Sequence, residues 1–123
     1  QNVSVESRFY VYVMPFATVE QEVEFLAKRF PGLPNDLVKS MAEFAELTRK
    51  AHVGEGDAYL EIAMDRRRLE LWGEMMVAYA PLANQGIDVA PYTLQFNYTA
   101  SLPPEQAEAV VQLLGTAFNN VTA

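Results

Sequence analysis

Apolar residues recur at helical spacing in four segments of the chain, and this periodicity constrains the fold more than any other feature. The four stripes are Val19/Val23/Leu26/Phe30, Leu37/Met41/Phe44/Thr48, Leu69/Trp72/Met76/Tyr79 and Val110/Leu114/Phe118. Residues three and four apart lie on one side of an α-helix, so each stripe gives its helix one apolar face. Such faces are buried by packing against one another, which predicts a helical bundle.

Capping residues set the expected limits of the first two helices. Thr18 with Gln21 three residues later matches a capping box at the start of the first helix. The run 31–34, with two prolines and a glycine, predicts the turn that ends it. Asn35 is expected to cap the second helix, and Gly54 to stop it.

The second half of the chain predicts three more helices. Residues 58–63 either pair briefly as a strand or cross the surface, and Asp65 is expected to cap the third helix. A short helix is expected over 91–100. The last begins after Ser101, with Pro103 or Pro104 in its first turn.

The segment 7–14 is rich in β-branched and aromatic residues and predicts one strand with no partner nearby. An unpaired strand exposes backbone groups, so its sheet is expected to come from sequence upstream of residue 1. We therefore predict a mainly α domain. Residues 1–16 form a strand and linker from a missing domain, and residues 17–123 form a bundle of about five helices.

Charge and composition exclude several classes of function. The formal net charge of −7 argues against direct binding of nucleic acid, which needs clustered Lys and Arg. The chain has no cysteine, and its single histidine, His52, cannot make a metal site alone. No apolar run approaches the ~20 residues of a membrane span, and no signal peptide is visible, which favours a cytoplasmic protein. A small secreted domain, glycosylated at Asn2, Asn97 and Asn120, is an alternative.

Two stretches resemble a known family. In the first, Ser7-Arg8-Phe9 precedes the predicted strand, and Thr18 to Glu22 open a helix. This resembles the junction between the large and small domains of AAA+ ATPases of the MoxR type. The resemblance implies that Arg8 is an arginine finger, which acts in trans on the nucleotide of a neighbouring subunit.

The second stretch joins the helix 41–50 to residues 64–72 through an acidic, glycine-containing loop. It is similar to the lid of the small ATPase subunit of cobaltochelatase and of its rubisco-activating and nitric-oxide-reductase-activating relatives. Setting Trp72 on the family tryptophan places Arg67 on the sensor-2 arginine. Arg66 and Arg68 flank it as alternative nucleotide-binding residues. Gly73 stands where the family pattern has Ala.

The resemblance implies a set of partners that this chain does not itself carry. ATP and Mg²⁺ would bind an upstream AAA+ core in the full-length protein, which would assemble into a homo-oligomeric ring, a hexamer. A partner with a von Willebrand A domain and a client protein would complete the system; the client could be a chelatase, rubisco, an oxidase or a phage protein. The chain lacks Walker A and Walker B motifs, so alone it is expected to bind no nucleotide and to be inactive.

The expected chemistry of Arg67 is electrostatic. A guanidinium is always charged, and its planar fork of donors suits a phosphate group. On a helical wheel Arg67 lies ~140° from the centre of the Leu69/Trp72 stripe and so faces outward. Two other interpretations stay open. The arginine run can form a solvated face paired with nearby Glu, and the chain can be a stand-alone helical interaction module that binds a partner through an apolar groove.

Overall fold

The computed structural model describes residues 16–56 and 58–122, with side chains up to residue 119. Five α-helices follow one another in this part of the chain: α1 (Val19–Arg29), α2 (Asn35–His52), α3 (Arg66–Ala78), α4 (Val89–Asn97) and α5 (Ala107–Thr122). Short 3₁₀ turns at Ala80–Gln85, Thr99–Ser101 and Pro104–Gln106 join the last three. The predicted helical bundle is confirmed. The predicted strand 7–14 lies outside the described residues.

The start of α1 is the predicted capping box. The hydroxyl of Thr18 accepts from the backbone N–H of Gln21 at 3.1 Å, and the Gln21 side chain accepts from the Thr18 N–H at 2.9 Å. Two donors that the first helical turn leaves unpaired are thereby satisfied. The helix ends at Phe30, whose N–H donates to Leu26 O at 2.8 Å.

The prediction that Asn35 caps α2 is wrong. Pro34 is the N-cap, with φ −62° and ψ 148°, and Asn35 is already the first helical residue. The Pro34 carbonyl accepts the first helical bond, from the N–H of Val38 at 3.0 Å. Proline fixes the extended entry without a side-chain hydrogen bond, so the asparagine is not needed as a cap. The helix stops as predicted, with Gly54 at a left-handed φ of 88° just after its end.

Residues 58–65 form no strand and cross the bundle with their backbone tied to side chains. The Tyr98 hydroxyl donates to the carbonyl of Ile62, and Nδ1 of His52 lies 3.1 Å from the carbonyl of Leu60. The N–H of Met64 donates to Thr48 Oγ1 at 3.0 Å. These side chains take the place of a neighbouring strand, which is why the connection is ordered without being a sheet.

The core lies around the middle of α2. The ring of Phe44 meets Trp72 edge-on at 5.5 Å and Tyr98 at 6.1 Å, so α2, α3 and the end of α4 share one aromatic cluster. Trp72 Nε1 donates to Thr93 Oγ1 at 3.1 Å, which satisfies the indole inside the core. The stripe prediction is wrong at Tyr79. That residue caps the end of α3, past its last turn, and its side chain is 43% exposed.

Gly73 allows α1 and α3 to approach closely. A Cβ built on Gly73 would lie 2.4 Å from Cε2 of the Phe30 ring, well inside van der Waals contact. Phe30 is itself buried. The ring of Phe30 therefore occupies the space that a methyl group at position 73 would take.

Candidate functional site

The three consecutive arginines occupy the first turn of α3. Asp65 caps this helix, and its carboxylate accepts from the N–H of Arg68 at 2.9 Å, as predicted. Successive residues of a helix point about 100° apart, so the three side chains leave α3 in three directions. Each of them meets different surroundings.

Arg68 joins α3 to α4. Its Nη1 donates to the main-chain carbonyl of Asn97 at 2.8 Å, and Nδ2 of Asn97 donates to the carbonyl of Arg68 at 3.0 Å. This reciprocal pair satisfies a carbonyl at the end of α4, where a helix leaves its last carbonyls unpaired. The side chain of Arg68 therefore links α3 to α4.

Arg66 turns toward α1. Its Nε and Nη2 both lie 2.8 Å from Oε1 of Glu22, and its guanidinium stacks 4.4 Å from the centroid of the Phe25 ring. The side chain is 46% exposed, so one edge of the guanidinium remains open to solvent.

Glu22 is the buried centre of this region. Its second oxygen, Oε2, accepts from Arg49 Nη2 at 2.8 Å, and the two side chains are 1% and 6% exposed. Arg49 also donates from Nε to the carbonyl of Met64 at 2.7 Å, and it stacks on the ring of Phe16. A buried carboxylate is stable only when its charge is paired and hydrogen-bonded, and two guanidinium groups do both here.

The Glu22–Arg49 pair was not among the predicted site residues, although the sequence carries a signal for it. Glu22 lies three residues after Val19 and four before Leu26, on the same face as the apolar stripe of α1. A charged residue at such a position is buried and needs a partner. The partner could not be named, because Arg49 is 27 positions away and on another helix.

Arg67 is exposed, as its position on the helical wheel predicts. Within residues 16–56 and 58–119, no hydrogen bond or ion pair holds its side chain. Arg66 and Arg68 thus bind neighbouring helices, whereas the side chain of Arg67 is exposed and has no such partner in the described residues. Arg8, the predicted finger, lies outside the described residues.

An open groove of about 620 Å³ runs between the start of α1 and the start of α3. It is lined by Phe16, Ala17, Gln21, Glu22, Glu24, Phe25, Lys28, Arg49 and Arg66. Three cations thus meet two carboxylates on one side of a chain whose net charge is −7. The groove places Phe16, the last residue of the predicted linker, and its neighbour Ala17 beside the first turn of α3.

No family model, curated protein or solved structure matches the chain. Within the described residues, none of the helices is long and apolar enough to cross a membrane. In the same ranges, no group of three or more His, Asp or Glu side chains could hold a metal ion.

Proposed function

We propose that the chain is the lid subdomain of a cytoplasmic MoxR-type AAA+ ATPase, which closes over ATP bound by an upstream core. In this proposal Arg67 reaches the γ-phosphate and acts as the sensor-2 arginine. The observation that carries the proposal is the division among the three arginines of α3. Arg66 and Arg68 are held by Glu22 and Asn97, whereas Arg67 is exposed and unpaired in the described part of the chain.

The position of Arg67 on α3 favours contact with a phosphate. It lies in the first turn, where free N–H groups and the helix dipole attract anions. Three cations in that turn oppose the dipole slightly, so the run carries a cost in isolation. Two of the three are compensated by Glu22 and by the end of α4. The remaining unfavourable interaction with the helix dipole comes from Arg67, and an anionic ligand would offset it.

The groove supports a hinged lid. Phe16, the last residue of the predicted strand and linker, lines the same groove as Arg66. If the lid rotates about this linker, the first turn of α3, which carries the arginines, would lie close to the axis of rotation. The fixed ion pairs of Glu22 would keep that end rigid during the movement.

The remaining features of the proposal come from the resemblance alone. ATP and Mg²⁺ would be bound by the upstream core, and Arg8 would act in trans within a hexameric ring. The closing and opening of the lid would couple hydrolysis to the remodelling, metal insertion or activation of a client, through a partner with a von Willebrand A domain. These features are proposals for the whole protein that carries this chain.

The test is ATP turnover by the full-length protein. Arg67→Ala is expected to lower turnover by about 10²- to 10³-fold, the loss typical of one preorganised donor to a transition state. The matched control is Lys39→Ala, which removes an exposed cation in the first half of α2. Turnover that Arg67→Ala leaves unchanged would remove this residue from the mechanism.

A stand-alone interaction module is the second candidate function. The observation that favours it is a patch of exposed aromatic side chains at the end of α3 and on α4, the aromatic face, formed by Tyr79, Tyr92 and Phe96. Exposed patches of this kind usually mark contact sites for other molecules. Normal turnover in Arg67→Ala, together with loss of partner binding on substitution of this face, would favour the module over the lid.

A further inference from the structure

Arg49, in the last turn of α2, uses each nitrogen of its guanidinium group on a different part of the chain. Nε donates to the carbonyl of Met64 at 2.7 Å, and Nη2 donates to Oε2 of Glu22 at 2.8 Å. Nη1 donates to the carbonyl of Ala17 at 3.4 Å. A guanidinium is a rigid planar fork, so the three groups bonded to it are held in a fixed relation to one another.

The flat face of the same guanidinium lies against Phe16. The Cζ atom of Arg49 is 4.6 Å from the centroid of the Phe16 ring, a distance at which a cation is attracted to an aromatic face. Phe16 is 41% exposed and lies just before α1. The end of the predicted linker therefore rests on a group that is itself bonded to the start of α1 and to the residue that leads into α3.

The backbone of Met64 is held at both of its polar groups by successive residues of α2. Its N–H donates to Oγ1 of Thr48 at 3.0 Å, and its carbonyl accepts from Arg49. Asp65, the next residue, caps α3, and Arg67 lies in the first turn. Arg67 follows Met64 by three residues, which is about one helical turn, so a displacement of Met64 would move the backbone of Arg67 with it.

We propose that Arg49 is a positioning residue, which connects the end of the linker to the first turn of α3 and so places Arg67 against the γ-phosphate. This inference rests on the proposed lid function and names the group that carries a movement of the linker to α3. Arg49 acts through Arg67 and from inside the fold, since its side chain is only 6% exposed. Lysine could not replace it, because an ammonium group donates from a single atom and cannot reach Met64, Ala17 and Glu22 in one plane.

The test measures ATP and ADP affinity of the full-length protein that carries Arg49→Lys. Lysine keeps a positive charge for Glu22 but loses the planar fork. ATP binding is expected to weaken about 3- to 10-fold, as for residues that couple two sites without touching the ligand, with ADP binding unchanged. Adding Arg49→Lys to Arg67→Ala is expected to change the ratio of ATP to ADP affinity no further, because the effect passes through Arg67. Losses that add in full would overturn the positioning role.

Phe16→Ala is the second variant, and it decides the matter if Arg49→Lys does not fold. It removes the stacked ring and leaves the buried pair of Arg49 and Glu22 intact. It is expected to lower the ratio of ATP to ADP affinity in the same direction. The control for lost stability is Val110→Ala, a truncation in the core on α5 that does not line the groove and is expected to keep the wild-type ratio. Circular dichroism shows whether each variant is folded.

The outcomes separate this inference from the lid proposal. If Arg67→Ala lowers the ratio of ATP to ADP affinity while folded Arg49→Lys and Phe16→Ala keep it, the positioning role is overturned and the lid proposal stands. It is also overturned if Val110→Ala lowers the ratio as much as they do, since lost stability would then explain the change. If Arg67→Ala itself keeps the wild-type ratio, the lid proposal fails and the positioning role fails with it.

Discussion

Arg49 donates a hydrogen bond from Nη2 to Oε2 of Glu22 across 2.8 Å, and both side chains lie almost entirely inside the protein. The pair joins the first turn of α1 to the last turn of α2. Through its other oxygen, Glu22 also reaches Arg66 on α3. One carboxylate therefore fixes the relative positions of three helices at the end of the bundle that carries Arg67.

Glu22→Gln is expected to lower the free energy of unfolding by about 3–5 kcal/mol, because it leaves the buried guanidinium of Arg49 without a counter-charge. Arg66→Ala is its comparison. Arg66 is half-exposed and Glu22 keeps Arg49, so the expected loss is about 0–1 kcal/mol. Urea denaturation of both variants measures the difference. Equal losses of unfolding free energy would show that the two ion pairs contribute equally to stability. Burial would then not determine the size of each contribution.

Gly73→Ala is expected to destabilise the protein by about 1–3 kcal/mol, because the new methyl group would lie 2.4 Å from the Phe30 ring. Helix propensity alone predicts the opposite sign, a gain of about 1 kcal/mol. The melting temperature of Gly73→Ala relative to the wild type decides between destabilisation by the Phe30 contact and stabilisation by helix propensity. Combining Gly73→Ala with Phe30→Leu should cost less than the sum of the two single changes, since the smaller side chain leaves room for the methyl group.

The control for Gly73 is Gly115, which lies on α5 with no heavy atom within 4 Å of a built Cβ. Gly115→Ala is expected to stabilise the protein by about 1 kcal/mol from propensity alone. If Gly73→Ala stabilises as much as Gly115→Ala, the close packing of α1 on α3 is not as the structure shows.

The stability of the fold is expected to decrease in alkaline solution because of Tyr98. Burial raises the pKa of its hydroxyl well above the ordinary value of about 10, although Thr48 and Arg68 act in the opposite direction. The unfolded chain then releases this proton at lower pH than the folded protein does. The stabilisation is complete below pH ~10 and is lost as the pH rises toward the folded value.

Unfolding free energies measured by urea denaturation at pH 8 and above pH 10 test this expectation. Tyr98→Phe should lose about 1 kcal/mol at pH 8 with its hydrogen bond to Ile62, and should decline less steeply above pH 10. The exposed Tyr59 provides the control, as Tyr59→Phe should follow the wild type throughout. Identical slopes for Tyr98→Phe and the wild type would show that Tyr98 does not cause the decline.

Helix number and several helix ends could be predicted from sequence because they depend on neighbours along the chain. The bounds of the fourth helix are wrong, since it was expected over 91–100 and α4 runs over Val89–Asn97. The Thr18–Gln21 capping box and the Asp65 cap each involve residues three positions apart. The prediction for Asn35 is wrong because Pro34 and Asn35 are both suitable at a helix start, and the fixed φ of Pro34 makes it the cap. Tyr79 has the right spacing for the core but lies beyond the last turn of α3.

The candidate site was only partly predictable, because its contacts join distant parts of the chain. The arginine run identifies the first turn of α3 as unusual, but it cannot show which side chain is free. That depends on Glu22 and Asn97, which are 44 and 29 positions away from their arginine partners. The alignment of Trp72 with the family tryptophan favours Arg67, and the helical wheel predicts that Arg67 faces outward. Its exposure in the structure agrees with the wheel.

The most direct test of the lid proposal compares ATP and ADP affinity in the full-length protein with and without Arg67. If Arg67 contacts the γ-phosphate, Arg67→Ala should weaken ATP binding about 10-fold or more, as expected for a lost charge-assisted hydrogen bond, and should leave ADP binding unchanged. Lys39→Ala should bind both nucleotides like the wild type. If Arg67→Ala retains the wild-type ratio of ATP to ADP affinity, the claim that this arginine reads the γ-phosphate is contradicted.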